Sequence, residues 1–482
     1  MQDAQTFGLL VLAASGAALL AVQSHRLSAW LRVPTPALFL IAAAVVPGVT
    51  EPQHRTVERV VTVALILILF DGGLHIGARR AREAAPAILS LGVLGTFATV
   101  AGAALAVHWV VDVPWYASVL VATAIAPTDP AVVFSVLGQR EIEGRSGTVL
   151  EGESGANDPV GIALMSALLA AGSLNAGWQV LGTFTLQMAV GAAVGLVGGR
   201  LLLRVMRSPL PGEGLYAVRT LVAAGVLFGV ATVAHGSGFL AVFVAGIVLG
   251  DERAPYKREV ERFHSALASL GEVVAFAFLG FTLHLDVLGR TDVWVPGVVV
   301  GLLLACVVRP VVGLPLLLPA RLSKGENAFV LFAGLKGAVP LLLGSLLLEQ
   351  TGNERLYGVV VVVVLVSVLL QGSLVPYVAG RLGVRMQTVE LEPFSLGVRL
   401  RDEPAGVFRL TVAAGSVADG TALRDLPGLA EGTWISLVLR AGVLVPVRGD
   451  MVLQPGDEVL VLVDEEQDPV QVQGLFVAAQ ER

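Results

Sequence analysis

The chain is short of charge, of cysteine and of aromatic residues. Only 15% of its 482 residues are charged, 6% are aromatic and 55% are hydrophobic, whereas a soluble domain carries about 25% charged residues. Together with a mean hydropathy of +0.79, that deficit excludes an ordinary soluble globular chain. One cysteine, Cys306, provides neither a disulfide framework nor a cysteine-based zinc site, and the seven histidines contain no HxxxH pair to replace it. No basic run occurs and the formal charge is −6, so a nucleic-acid polymer is not an expected partner. No GxGxxG fingerprint occurs either, so NAD is not implied and no cofactor is expected.

What is present in quantity is apolar sequence interrupted by 55 glycines and 24 prolines, residues tolerated in membrane helices when neighbouring helices satisfy the backbone. A spanning helix needs about 20 mostly apolar residues. Thirteen segments qualify, near 5–23, 34–49, 57–77, 86–111, 114–137, 147–173, 177–203, 215–234, 237–250, 266–286, 293–319, 326–348 and 356–379. With the N-terminus outside, 19 basic residues fall in cytoplasmic loops and 4 in outer ones, as the positive-inside rule requires. From Gln387 onward, 15 acidic residues face 7 basic ones, against 23 and 25 before it. The expected organisation is a membrane domain over 1–386, a linker over 387–396 and a cytoplasmic domain over 397–482.

Charges inside apolar segments are costly and mark pathways or buried pairs. Asp71 sits in FDGGL, Asp129 in ATAIAPTDPAVVF, Glu151, Glu153 and Asp158 in LEGESGANDPVGIAL, Arg309 in VVRP and Lys336 in GLKGAVP. At 1.5 Å per residue, Asp129, Asp158 and Lys336 each lie ~15–23 Å from their helix starts, near mid-membrane. Pro127 and Pro130 flank Thr128 and Asp129, so the helix is expected to open there. Gly334, Gly337 and Pro340 predict a similar interruption around Lys336. Opened helices present free carbonyls and half-helix termini to ions, and two of them about seven spans apart suggest inverted repeats.

Helical spacing puts Ser154 and Asp158 on one stripe with Glu151, and Glu153 and Asn157 on another. The first stripe suits a cation. The second suits a structural partner, for which Arg309 is the best candidate. Burial disfavours a bare carboxylate, so such a group holds either a proton or a monovalent cation. One site with two exclusive occupants, open alternately to each side, is an exchanger.

These residues resemble the NhaP-type branch of the monovalent cation:proton antiporters, through FDGGL, TDP, ESGANDP, HGSGFLAVFVAGIVLG, the Arg309 segment and GLKGAVP in that order. The resemblance implies that Asp158 carries the proton or cation, K⁺ or Na⁺, with Asp129, Thr128 and Ser154 helping to hold the ion. It implies a buried Glu153–Arg309 pair, and the tail described next adds a homodimer. Asp71 stands where relatives often have glutamate, and Lys336 where many have arginine. The Asn157-Asp158 order implies electroneutral one-for-one exchange.

Past 397 the periodicity changes to short β-rich runs at 407–412, 434–440, 443–447 and 458–463, separated by Arg448-Gly449-Asp450 and Pro455-Gly456-Asp457. SLVLRAGVLVPVRGDMVLQPGDEVLVLV resembles the TrkA-C domain, the C-terminal half of RCK proteins. That resemblance implies a regulatory module binding a small, nucleotide-like molecule, and leans the transported ion toward K⁺. The expected fold class is a polytopic α-helical membrane protein of about thirteen spans with inverted repeats and two broken helices, plus a small cytoplasmic α+β domain. Two other readings compete. An RCK-regulated cation channel would need a TVGYG-like filter, which is missing. An intramembrane serine hydrolase, suggested by Gly152-Glu153-Ser154-Gly155, lacks a histidine at matching depth.

Overall fold

The computed structural model describes residues 34–45, 54–137, 140–142, 144–208, 214–250, 256–283, 285–388, 406–426, 433–440, 443–463, 472 and 474–476. The expected span near 5–23 and the linker beyond 388 lie outside the described residues. The chain divides into two compact units, Met1–Glu390 and Leu391–Arg482.

The first unit is helical. Its opening helices are α1 (Thr35–Val45), α2 (His54–Ile88) and α3 (Gly95–Val107), the last two joined by a wider π-type turn at Leu89–Leu94. Gly77 interrupts α2 with φ 66° and ψ 164°, a left-handed setting that glycine adopts without penalty. That kink separates the expected third and fourth spans within one apolar run.

There follow α4 (Trp115–Ile125), α5 (Pro130–Leu137), α6 (Arg145–Ala171), α7 (Gly177–Met206), α8 (Gly214–Val233), α9 (Gly238–Gly250) and α10 (Lys257–Gly280). The second half continues with α11 (Thr291–Leu303), α12 (Arg309–Leu316), α13 (Lys324–Phe332), α14 (Ala338–Thr351), α15 (Glu354–Leu365) and α16 (Gly372–Arg381).

Among the described residues, six helical runs are long and apolar enough to cross a membrane: Arg55–Asp112, Leu174–Met206, Gly214–Val233, Lys257–Gly280, Thr291–Leu316 and Glu354–Arg381. A seventh appears if α4 and α5, bent by 41° across Ala126–Asp129, form one span. Two others, α9 and α14, are apolar but shorter, with 13 and 14 residues. The protein is thus a multi-pass membrane protein.

Local chemistry sets several boundaries. Ser323 and Glu326 form a reciprocal capping box that starts α13. Asn353 caps α15, accepting from Leu356 N–H at 3.2 Å, just after Gly352 ends α14 in the left-handed region. Val359 to Val364 are all buried, so α15 is apolar all round because it is enclosed by protein. The outer helix α7 instead exposes Trp178, Leu181, Leu186, Val197 and Leu201, a surface that only lipid or another apolar partner would cover.

The second unit contains a four-stranded antiparallel sheet ordered β3-β6-β4-β5, from β3 (Gly406–Thr411), β4 (Thr433–Arg440), β5 (Val443–Val445) and β6 (Glu458–Val463). The earlier pair β1 (Arg140–Ile142) and β2 (Met386–Thr388) belongs to the first unit. In β6, Val459, Val461 and Val463 are buried at alternate positions, the period-two signature of a one-sided sheet. They pack with Val412, Val438, Leu453 and Phe476. β5 stops at Val445 rather than 447, because Pro446 has no N–H to continue a ladder.

Asp457, fully buried in the Pro455-Gly456-Asp457 turn, accepts from Arg440 Nε and Nη2, both at 2.8 Å, and from Gln454 N–H at 2.8 Å. The Arg440 bonds, followed by the Gln454 N–H, hold its carboxyl below the usual carboxylate range. The stability this contact supplies is therefore complete above about pH 4, the unfolded carboxylate value, and is lost as pH falls through the lowered one. Hydrogen exchange on the full chain, corrected for intrinsic rates, is expected to show protection of β4 and β6 falling only on the acid side of pH 4. Asp457→Asn should weaken that protection at neutral pH and remove the acid step. Equal protection in the variant would contradict the assignment.

Candidate ion-binding site

Two gaps between successive helices meet in the first unit. α4 ends at Ile125 and α5 begins at Pro130; α13 ends at Phe332 and α14 begins at Ala338. The two prolines of Pro127-Thr128-Asp129-Pro130 explain the first gap. The gaps are stitched together by Asp129 N–H donating to Leu335 O at 2.8 Å.

Each gap leaves helix-end carbonyls that need donors. Lys336 Nζ donates to Ala126 O at 2.9 Å and to Pro127 O at 3.1 Å, closing the end of α4. Arg309 Nε donates to Leu331 O at 2.9 Å and Nη2 to Val330 O at 3.3 Å, closing the end of α13. Lys336 N–H in turn donates to Ser367 Oγ at 3.0 Å, and Ser367 Oγ donates to Gln371 Oε1 at 3.2 Å.

Asp129 caps α5, its Oδ1 accepting from Ala131 N–H at 2.9 Å. The N–H groups of Val132 and Ala338 also face this carboxylate, so the starts of both α5 and α14 point at it. Gly337 makes that approach possible: a Cβ there would overlap Asp129 Oδ2. A Cβ on Gly334 would likewise overlap the Arg309 guanidinium.

The sixth helix supplies the other wall. Ser154 Oγ donates to Thr128 O. Asn157 Nδ2 donates to Thr128 Oγ1 at 2.7 Å and its Oδ1 accepts from Thr128 N–H at 3.4 Å. Glu153 receives Arg309 Nη1 at 2.8 Å and Nη2 at 3.0 Å, a two-pronged pair with both residues buried. Asn157, grouped with Glu153 and Arg309 by helical spacing, thus bonds Thr128 instead.

Asp158, one residue further on, is only 8% exposed. Among the described residues, no hydrogen-bond donor reaches its carboxylate. The charges acting on it are those of Asp129 and Lys336. Asp71 is not in contact with this group: its carboxylate accepts from Ser265 Oγ at 3.1 Å and lies 3.4 Å from His75 Nδ1. The charge inventory of the sequence left out Glu272 of α10, whose Oε1 is buried without a hydrogen-bond partner among the described residues. Its place inside the apolar segment 266–286 was the available signal.

Asp158 thus directly follows, on α6, the residues whose side chains bond Thr128 in the gap between α4 and α5. The sequence pattern described as sodium/hydrogen exchanger, transmembrane, matches residues 12–380. The chain belongs to the sodium/hydrogen exchanger family. This exchanger-family chain also matches the TrkA-C domain over residues 407–467, and it is a transporter rather than an enzyme. It is 28% identical over 499 residues, 99% of this chain and 85% of the relative, to the K⁺/H⁺ antiporter NhaP2 of Shewanella sp. (strain MR-4). It is 32% identical to the K⁺/H⁺ antiporter NhaP of Alkalimonas amylolytica, over 67% of this chain and 57% of that one. Its fold is similar to that of the sodium proton antiporter MjNhaP1 from Methanocaldococcus jannaschii, with a TM-score of 0.68 and 21% identity, covering 80% of this chain and 99% of that one.

Proposed function

We propose that this exchanger-family protein moves one monovalent cation, K⁺ in preference to Na⁺, against one proton, with the two competing for Asp158. The observation that carries the reading is the Asp158 carboxylate, buried and, among the described residues, without a donor, on the helix that walls the Thr128 gap. A bare buried carboxylate is costly, so something must neutralise it. A proton does so directly; a cation does so with help from Thr128, Ser154 and Asp129.

Lys336 and Arg309 are engaged with helix-end carbonyls and Glu153, which leaves Asp158 to the transported species. Cation preference rests on the relatives. Those named K⁺/H⁺ antiporter NhaP2 align over 90–99% of the chain. The Na⁺/H⁺ antiporter NhaH of Halobacillus dabanensis aligns over 72%. In this reading the membrane domain, 1–386, has thirteen spans in inverted repeats, α4–α5 and α13–α14 are its two broken spans, and the N-terminus is outside. A linker over 387–396 leads to a cytoplasmic domain at 397–482, which pairs in a homodimer and regulates transport by binding a nucleotide-like molecule.

Proteoliposome exchange with K⁺, Rb⁺, Na⁺ and Li⁺ tests it. K⁺ and Rb⁺ are expected to dissipate a proton gradient at lower concentration than Na⁺ and Li⁺. The rate should not change with an imposed potential, since net charge movement is worth ~2.3 kcal/mol per 100 mV and one-for-one exchange moves none. Acceleration under the potential would refute electroneutral exchange, and no cation-driven proton movement would refute the function.

A further inference from the structure

Glu272 has no part in the site as described. It sits in the middle of α10, half-buried as a residue, with Oε1 sealed off and unpartnered among the described residues. Every other buried carboxylate near the helix crossing is accounted for: Glu153 by Arg309 and Asp129 by backbone N–H groups, with Asp158 the proposed carrier.

Position on the helix gives Glu272 a direction. Residues 265, 268, 272 and 276 form one stripe of α10, and at its ends Ser265 holds Asp71 while Phe276 is fully buried. Ser265 and Glu272 are two turns apart, about 10 Å. On the neighbouring face, Gly271 packs against Ala64 of α2. Helix α10 also packs on α14, whose first residues face Asp129, and Asp129 is the charged group acting on Glu272. The stripe therefore begins at Asp71, on a helix that also packs on α14, whose start faces Asp129.

Among the described residues no counter-charge from the other elements packed on α10 pairs with Glu272, although Arg59 of α2 lines a cavity with its neighbours Gly271 and Val274. α1 has no titratable group. α2 brings Asp71 and His75 to the Ser265 end, and Glu58 and Arg59 to the far end, where Arg59, Gly271 and Val274 line an apolar cavity of about 360 Å³. α8 carries Tyr216 and Arg219 near its start, where Thr220 bonds His264. α14 carries Glu349 in its last turn.

A carboxylate with one oxygen sealed from water and unpartnered is costly to keep bare, and a proton or a cation, the two species the site is proposed to exchange, relieves that cost. The geometry points to Glu272 as a further ion-handling residue, a carboxylate on the route between Asp71 and Asp129 that holds a proton or a monovalent cation in turn. As a cation arrives, Glu272 releases its proton to water or to an ionised aspartate, so charge is conserved at each handover. This rests on Asp158 being the exchange site.

Glu272→Gln keeps size and hydrogen-bonding capacity but can hold neither occupant. In proteoliposomes assayed with K⁺ and Na⁺, the half-saturating cation concentration is expected to rise about tenfold, roughly the loss of one modest ion contact, and the pH–rate profile to shift. Glu272→Asp should fall between wild type and Gln in both measures, and it decides the matter if the Gln variant does not assemble. Wild-type values in Glu272→Gln, or an Asp variant no better than Gln, would overturn the inference while leaving the role of Asp158 standing. Absence of exchange in the wild type would instead remove the reading on which it rests.

Discussion

Asp158→Asn is expected to reduce cation-driven proton movement to the rate of protein-free liposomes. The substitution is nearly isosteric, so packing around the 8% exposed side chain is kept while the charge and the proton-binding oxygen are lost. An amide neither binds a proton near neutral pH nor neutralises a dehydrated cation, and an exchange cycle needs both. Thr128 and Ser154 still offer neutral oxygens, but neutral oxygens alone do not couple ion to proton. The variant should elute and melt as the wild type does, because no hydrogen bond among the described residues is broken. Residual coupled exchange above a tenth of the wild-type rate would move the carrier role elsewhere, with Asp129 the next candidate.

Arg309→Ala has the largest expected effect on stability. The guanidinium joins three elements: α12, which bears it; α6, through both oxygens of Glu153; and the last carbonyls of α13. Its removal leaves Glu153, 3% exposed, as an unpaired buried charge, and strands two helix-end carbonyls. Breaking one side of such a pair costs about 3–5 kcal/mol. In detergent the melting temperature is expected to drop sharply and expression to fall. Replacing both partners, Arg309→Met with Glu153→Leu, should recover most of the loss, because the desolvation cost of the charge disappears with it. A double variant as unstable as Arg309→Ala alone would show that the capped carbonyls, not the ion pair, dominate.

The gap between α4 and α5 was legible because two prolines around Thr128-Asp129 remove donors that no alternative sequence pattern restores. The second was marked more weakly, by Gly334 and Gly337, and the structure gives those glycines a reason that sequence spacing does not carry: each makes room for a charged side chain from another element. A helical wheel assigns a face but not a distance, so it put Asn157 with Glu153 where the structure joins Asn157 to Thr128. Asp71 meets Ser265 across 194 positions of sequence, a separation that no local pattern reaches. Glu272 stands six residues inside the apolar segment 266–286, so its depth was legible, whereas the lack of a partner for its Oε1 among the described residues was not. In the tail, alternation over 458–463 marked β6 directly, and only the early stop of β5 needed the proline rule.

The bond from Asp129 N–H to Leu335 O, with the Lys336 ammonium laid across the end of α4, has a mechanical meaning. Strands of chain from distant parts of the sequence are knotted at a point where neither has helical support of its own. Pulling them apart would strand backbone groups in a dry interior, so the crossing behaves as a rivet. Any conformational cycle that turns the carboxylates from one side of the bilayer to the other must carry the rivet whole, and the sliding has to occur at smoother, apolar seams elsewhere in the helical unit.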